Sequence, residues 1–206
     1  MGTTHQIEKS LTDAGMTFIA GVDEAGRGAC AGPLVVAAVI LRDPYSPSLA
    51  TLRDSKQLSH QQREKLFPII IENAHSYSII EIPSTLIDDR GVHAANIDGM
   101  RRAVHSLSVQ PTFVLTDGYS IPGLGFPTLG IWKGDQVAPS ISAASILAKV
   151  TRDRFMCMLA KEFPQYGFEK HKGYSTSGHQ KAIENFGPTG SHRRSFSNVA
   201  AFINNI

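Results

Sequence analysis

Cysteine is nearly missing from these 206 residues. The two present, Cys30 and Cys157, stand far apart with no CxxC spacing and no Cys/His pairing. That excludes a disulfide framework and a thiolate metal centre, and it predicts two reduced packing residues in a cytoplasmic protein. Long apolar runs are missing too. The longest, Leu34 to Leu41, is far short of the roughly 20 residues that a membrane helix needs. The N-terminus lacks the basic-then-apolar pattern of a secretory leader, and "MGTTHQ" has Gln6 where a myristoylation signal has Ser or Thr. The eight histidines show no H-E-x-x-H or other metal spacing. "AGRGACAG" is neither a Walker loop nor a G-x-G-x-x-G turn, which argues against a nucleotide cofactor.

A large excess of one charge is also missing, since the net charge is only +2. The two halves nevertheless differ. Residues 1–100 hold eight Lys and Arg against twelve Asp and Glu, whereas residues 101–206 hold twelve against six. A split of that kind fits an anionic partner gripped mainly by the second half, or chance. With 42% hydrophobic and 18% charged residues, the chain can bury a sizeable core. It reads as one domain over residues 1–206, with a core at about 17–162 and a C-terminal extension at about 163–206. Only the first dozen residues look disordered, and no coiled-coil pattern argues against a monomer.

Strands are expected at Thr17–Asp23, Leu34–Leu41, within "SYSIIEIP", at "TFVLTDG" and at "TLGIWKGD". A helix should start after Ser59, which forms a capping box with Gln62, and Pro68 should kink or end it. The stretch from Ser84 to Leu107 is helical in composition although Gly91 and Gly99 weaken it, and Pro139 should open a long helix to about Glu162. The order is mixed α/β with an antiparallel start.

Asp23, Asp117 and Asp135 each fall where an apolar run ends, so a sheet could gather them on one rim. Two carboxylates about 4 Å apart repel by roughly 4 kcal/mol at an effective dielectric near 20. Protonation, a basic partner or a divalent cation relieves that repulsion. Oxygen-only ligands favour Mg²⁺ or Mn²⁺ over zinc, and two such ions cleave phosphodiesters. Each acid alone is as readily a wet strand end. Glu24 beside Asp23 should point to the opposite face. It joins the rim only if the strand bends, which Gly21 and Gly26 allow, or if it offers its backbone carbonyl.

Gly26, Arg27 and Gly28 allow a backbone to approach a ligand closely, beside an arginine that can grip phosphate; a plain hairpin turn has the same composition. Ser142, Ser145, Lys149 and Arg152 fall on one helical stripe suited to a phosphate backbone, or to water. Lys56 beside Asp54 is a phosphate contact or an ion pair. His171 is a possible phosphate neighbour, and Tyr174 in "HKGYST" is an aromatic among basic residues, suited to stacking on a sugar or base.

Taken in order, "VDEAGRGACAGP", "DSKQLS", "MRRAV", "LTDG", "KGD", "SISAASILAKVTRDR", "HKGYST" and "HRRSF" span nearly the whole chain. In them the sequence resembles bacterial ribonuclease HII, the type 2 ribonuclease H family, with departures at Gly91, Ser142 and Ser175. The resemblance implies a ribonuclease H-like fold, a mixed central sheet flanked by helices, with a small C-terminal helical extension. It implies endonucleolytic cleavage of the RNA strand of RNA–DNA hybrids and incision at single ribonucleotides embedded in duplex DNA, giving 5′-phosphate and 3′-hydroxyl ends. It carries the acidic set onto Asp23, Glu24, Asp117 and Asp135 as catalytic ligands of Mg²⁺ or Mn²⁺. It carries the junction sensor onto Gly26, Arg27 and Gly28, and the junction tyrosine onto Tyr174. Lys56, Lys149, Arg152 and the basic residues near the C-terminus, Arg193 among them, would then hold phosphates. The competing readings are a non-catalytic hybrid-binding protein and another two-metal nuclease of the same fold, such as a resolvase or integrase.

Overall fold

Strand β2 (Leu34–Leu41) is apolar at every position because both of its faces are covered. In the computed structural model, which describes residues 6–54 and 58–203, it lies between β1 (Ile19–Ala25) and β3 (Ala74–Ile82), antiparallel to both. On its other side β1 pairs in parallel with β4 (Phe113–Asp117), and β4 in parallel with β5 (Thr128–Ile131). The sheet order is therefore β3-β2-β1-β4-β5. This is the mixed five-stranded sheet expected, with most strand ends displaced by a residue or two and β5 ending at Ile131, four residues before Asp135.

Strand alternation sorts the core into two layers. Ala20, Val22, Leu34, Val36, Ala38 and Ile40 face α3 (Ser84–Arg90) and α4 (Val92–His105). Val35, Ala37, Val39 and Leu41 face α2 (His60–Asn73) and α5 (Pro139–Glu162). Helix α5, 24 residues long, runs over β1 and β2 and has the bounds read from the sequence. Gly91, at φ +79°, divides the expected single helix into α3 and α4, a backbone geometry that a side chain would oppose.

Ser59 caps α2 through the capping box with Gln62, as expected. Pro68 does not end that helix, which continues to Asn73. An interior proline costs about 3 kcal/mol. Burial of Leu66 and Ile70 in the α5-side core contributes about 1.5–3 kcal/mol each and carries the helix through.

The first dozen residues are not structureless throughout. From Gln6 to Asp13 they form α1, which packs Ile7 and Leu11 against Ile19, Leu115 and Ile141. Glu8 is buried, and one of its carboxylate oxygens accepts both the N–H and the hydroxyl of Ser140 in the first turn of α5. After α5, the short α6 (Phe168–His171), α7 (Ser177–Phe186) and α8 (Ser197–Ile203) pack around Cys30, Ala31, Met156 and Leu159. That cluster sets the C-terminal segment against the turn following β1. Among the described residues no helix is long and apolar enough to cross a membrane.

Candidate active site

The carboxyl ends of the adjacent parallel strands β1 and β4 open into a cleft of about 510 Å³. Asp23, Glu24 and Asp117 line it together with Gly26, Arg27, Gly28, Ser145, Lys149 and Tyr174. Most residues singled out in the sequence thus meet in one place.

Glu24 reaches the cleft without a bend in the strand, one of the two routes the sequence left open. β1 stays paired with β2 through Asp23, Glu24 and Ala25 in unbroken register. By alternation Asp23 lies on the α5 face, where the Ser145 side chain hydrogen-bonds it. Glu24 lies on the α4 face beside Asn96. The two acids come round opposite sides of the strand end into the same space.

Burial pushes the Asp23 carboxyl well above the usual range, and repulsion from Glu24 and then Asp117 adds to it. Burial also raises Glu24; Arg27 opposes that rise and Asp117 reinforces it. Glu24 Oε2 is buried with no hydrogen-bond partner among the described residues. Asn96 favours charged Glu24, yet neither end of its amide meets full hydrogen-bond geometry. A crowded carboxylate set with an orphaned oxygen suits a divalent cation, which supplies the missing charge and accepts oxygen ligands.

Asp135 does not end a strand. It follows Gly134 in a short 3₁₀ turn beyond β5, is buried, and does not line the cleft. The Gly134 N–H donates to Asp117 Oδ1 at 2.8 Å, which ties the Asp135 segment to the rim. Among the described residues, no three acidic, His or Cys side chains are already grouped at metal-ligating spacing.

The turn after β1 is closed by the Ala29 N–H donating to Gly26 O at 3.2 Å, which leaves the Arg27 and Gly28 amides out of that bond. Gly26 has φ +89°, and a methyl group there would fall 1.8 Å from Arg152 Nε. Only glycine fits.

That contact corrects the reading of Arg152. It is fully buried, and its guanidinium donates to the carbonyls of Pro33 at 2.9 Å, Lys172 at 2.8 Å and Ala31 at 3.0 Å. It braces the turn and the "HKGYST" loop from inside and is not placed to hold phosphate. The supposed polar stripe is interior at Ser142 as well, whose hydroxyl donates to Leu52 O. Of the two cations on it only Lys149 lines the cleft, with Nζ 2.7 Å from Asp153. Arg193 is buried and donates to Gly32 O and Arg27 O. His171 has both ring nitrogens in backbone contacts, to Tyr166 O at 2.7 Å and the Gly173 N–H at 3.2 Å, so it is no phosphate neighbour. Lys56 lies outside the described residues.

Tyr174 is 40% exposed at the cleft, with its ring over Arg152 at 5.5 Å. Ser175, the departure beside it, accepts from Gln180 Nε2 and Asn198 Nδ2. Sequence reasoning missed Arg63, which lines the cleft from α2, and Asn96. Arg63 sits on an ordinary-looking polar helix face, and Asn96 on the helix whose core face was not worked out.

Comparison with known proteins bears on the family and the fold. The sequence model of the ribonuclease HII family matches residues 20–199. Ribonuclease HII of Mycobacterium tuberculosis (strain ATCC 25618 / H37Rv) is 55% identical over 193 residues, covering 94% of this chain and 73% of that one. The crystal structure of ribonuclease H2 from Pyrococcus horikoshii OT3 superposes with a TM-score of 0.79 at 28% identity, covering 91% of this chain and 97% of the other. A Bst-RNase HIII structure in complex with Mn²⁺ has a TM-score of 0.71 at 18% identity, covering 93% of this chain and 70% of that one, a likeness of fold.

Proposed function

The chain belongs to the ribonuclease HII family, hydrolases that cleave the RNA strand of RNA–DNA hybrids, and from that premise we propose how its own residues do so. Asp23, Glu24 and Asp117, with Asp135 joining from the 3₁₀ turn, are the acids that would hold Mg²⁺ or Mn²⁺. When bound, such ions would lower the pKa of the attacking water, so that it can give up its proton, and would supply positive charge for the departing 3′-oxygen. Asp23 is set by Ser145 and Asp117 by the Gly134 amide, so both carboxylates face the cleft before substrate arrives. Prior orientation of that kind lowers the barrier without cost at the moment of reaction.

Selectivity for RNA rests on the 2′-hydroxyl, which both donates and accepts. The Arg27 and Gly28 amides are left out of the turn's own hydrogen bond and reach that group from one side. The Tyr174 ring packs on the adjoining sugar from the other. In this reading the enzyme also incises duplex DNA at a single embedded ribonucleotide, because the test examines one sugar and its neighbour. Lys149 and Arg63, both at the cleft, position the duplex through phosphates and read no sequence.

The observation that carries the reading is that three acids from two adjacent strands share one cleft with the glycine-arginine-glycine turn and Tyr174. The test is cleavage of a labelled duplex bearing one ribonucleotide, with Mg²⁺, with Mn²⁺ and with excess chelator. Incision at the ribonucleotide is expected with either ion and none with chelator. Equal cutting of an all-DNA duplex would overturn the sugar test, and cutting in chelator would overturn the role given to the acids.

A further inference from the structure

Tyr174 sits between α6 and α7, and its carbonyl accepts from the Thr176 N–H at 2.9 Å and lies 3.0 Å from His179 Nδ1. A carbonyl can only accept, so His179 carries its proton on Nδ1. Its other nitrogen, Nε2, lies 3.1 Å from Nε2 of His192. His192 Nδ1 in turn receives the Thr189 N–H at 2.9 Å. An amide N–H can only donate, so His192 is bare at Nδ1 and protonated at Nε2.

The Thr189 hydroxyl also lies 3.0 Å from His192 Nδ1, and Cys30 Sγ, which donates to Gly173 O, lies 3.6 Å from His179 Nδ1; all these contacts fit one pattern. The Thr189 N–H donates to His192, His192 donates to His179, and His179 donates to the Tyr174 carbonyl. A second proton on either ring would set donor against donor. Both rings are buried, and burial above all holds each near pKa 4, so the chain is intact at neutral pH. His171 stacks on His179 with centroids 4.3 Å apart.

The same block grips the turn after β1. The Cys30 and Ala31 N–H groups both donate to Gly173 O, at 2.9 and 3.2 Å, and the Arg193 N–H donates to Cys30 O at 2.8 Å. The loop bearing Tyr174 and the turn bearing Arg27 are therefore joined one residue before Tyr174. What fixes the carbonyl of Tyr174 itself is the histidine pair and the Thr176 amide.

We propose that His192 and His179 are positioning residues for the cleavage reaction, a buried relay that orients Tyr174 against the turn at Gly26–Gly28. The inference rests on the reading of Tyr174 as the contact to the sugar beside the ribonucleotide. His179 and His192 touch no substrate. Their effect is on the placement of the ring, and it is felt where one sugar must be recognised.

The experiment measures kcat and KM for His179→Phe, His179→Asn and Tyr174→Ala on two substrates, a duplex with one ribonucleotide and a continuous RNA–DNA hybrid, alongside Tm. Phenylalanine keeps the ring without its nitrogens, while asparagine restores a donor near the Nδ1 position. His179→Phe is expected to lower kcat on the single-ribonucleotide duplex roughly tenfold more than on the hybrid, with KM little changed, because phosphates carry the affinity. His179→Asn should return most of that loss. A general loss of structure would depress both substrates alike and would not be rescued by asparagine.

If Tyr174→Ala shifts the substrate ratio and His179→Phe does not, the relay is overturned while the role of Tyr174 stands. If Tyr174→Ala leaves the ratio unchanged, the reading of Tyr174 falls first. Should His179→Phe fail to fold, ¹⁵N-histidine spectra of the wild-type protein at pH 7 decide independently. They are expected to show His179 protonated on Nδ1 and His192 on Nε2. Either ring in the opposite tautomer would overturn the relay.

Discussion

Arg27 Nη1 donates to the hydroxyl of Tyr119 at 2.7 Å, and the same guanidinium lies 4.8 Å over the Tyr119 ring. Tyr119 stands two residues beyond Asp117, and His93 from α4 packs edge-on against it at 5.7 Å. The arginine of the turn is thus anchored to the strand end that carries an acid of the site. The turn proposed to test the sugar and the carboxylate rim therefore share a side-chain brace as well as a cleft.

Removing that brace should cost activity at a single embedded ribonucleotide. Tyr119→Ala loses both the hydrogen bond and the ring and is expected to lower kcat/KM on a single-ribonucleotide duplex roughly tenfold. Tyr119→Phe keeps the ring and should lose only about threefold. Steady-state kinetics on the two variants check this, and wild-type values for the alanine variant would show that Arg27 needs no anchor.

Arg152 and Lys149 lie three residues apart on α5 and should behave differently. Arg152→Met strands three buried carbonyls and is expected to cost about 3 kcal/mol or more of stability, read by denaturant unfolding, while the salt dependence of hybrid binding stays as it was. Lys149→Ala should lower the slope of log K against log[salt] by about one, with a smaller loss of stability. A change of slope in the arginine variant would return it to the phosphate contacts.

Much of this was legible in the sequence, and the failures have a common cause. β2, α5 and the Ser59 cap could be read because local pattern and local chemistry decide them. Asp23, Asp117 and the glycine turn stood out because strand ends and glycines are local signals too. Arg152 was misread because a polar stripe on a helix looks the same whether it meets water, phosphate or buried carbonyls. Only the return of residues 172–173 and of the β1–β2 turn onto α5 decides that. His179, His192 and Glu8 were invisible for the same reason, since their partners lie 5, 13 and 132 residues away and come near only in the fold.

Glu8 gives the expected pH dependence. Burial against α5 raises its pKa from 4.5 to about 7, while hydrogen bonds from Ser140 hold it back. Between those values the folded state binds a proton that the unfolded state does not, so this group's contribution is full below about pH 4.5 and is lost as pH rises through about 7. Glu8→Gln has no charge to bury and a carbonyl that accepts the same two donors. Its stability relative to wild type should climb between pH 5 and pH 8, by up to about 3 kcal/mol at roughly 1.4 kcal/mol per pKa unit. Thermal unfolding at the two pH values checks it, and a constant difference would show that Glu8 titrates normally.

The role given to the acids is tested most directly at Asp117, which lines the cleft, raises both Asp23 and Glu24, and accepts the amide leading to Asp135. Asp117→Asn keeps the shape and removes the charge. Cleavage of a labelled RNA–DNA hybrid in saturating Mg²⁺ should fall below detection, while hybrid affinity stays within about threefold of wild type because phosphate contacts carry it. Turnover near the wild-type rate would contradict the assignment of the carboxylate rim as the reaction centre.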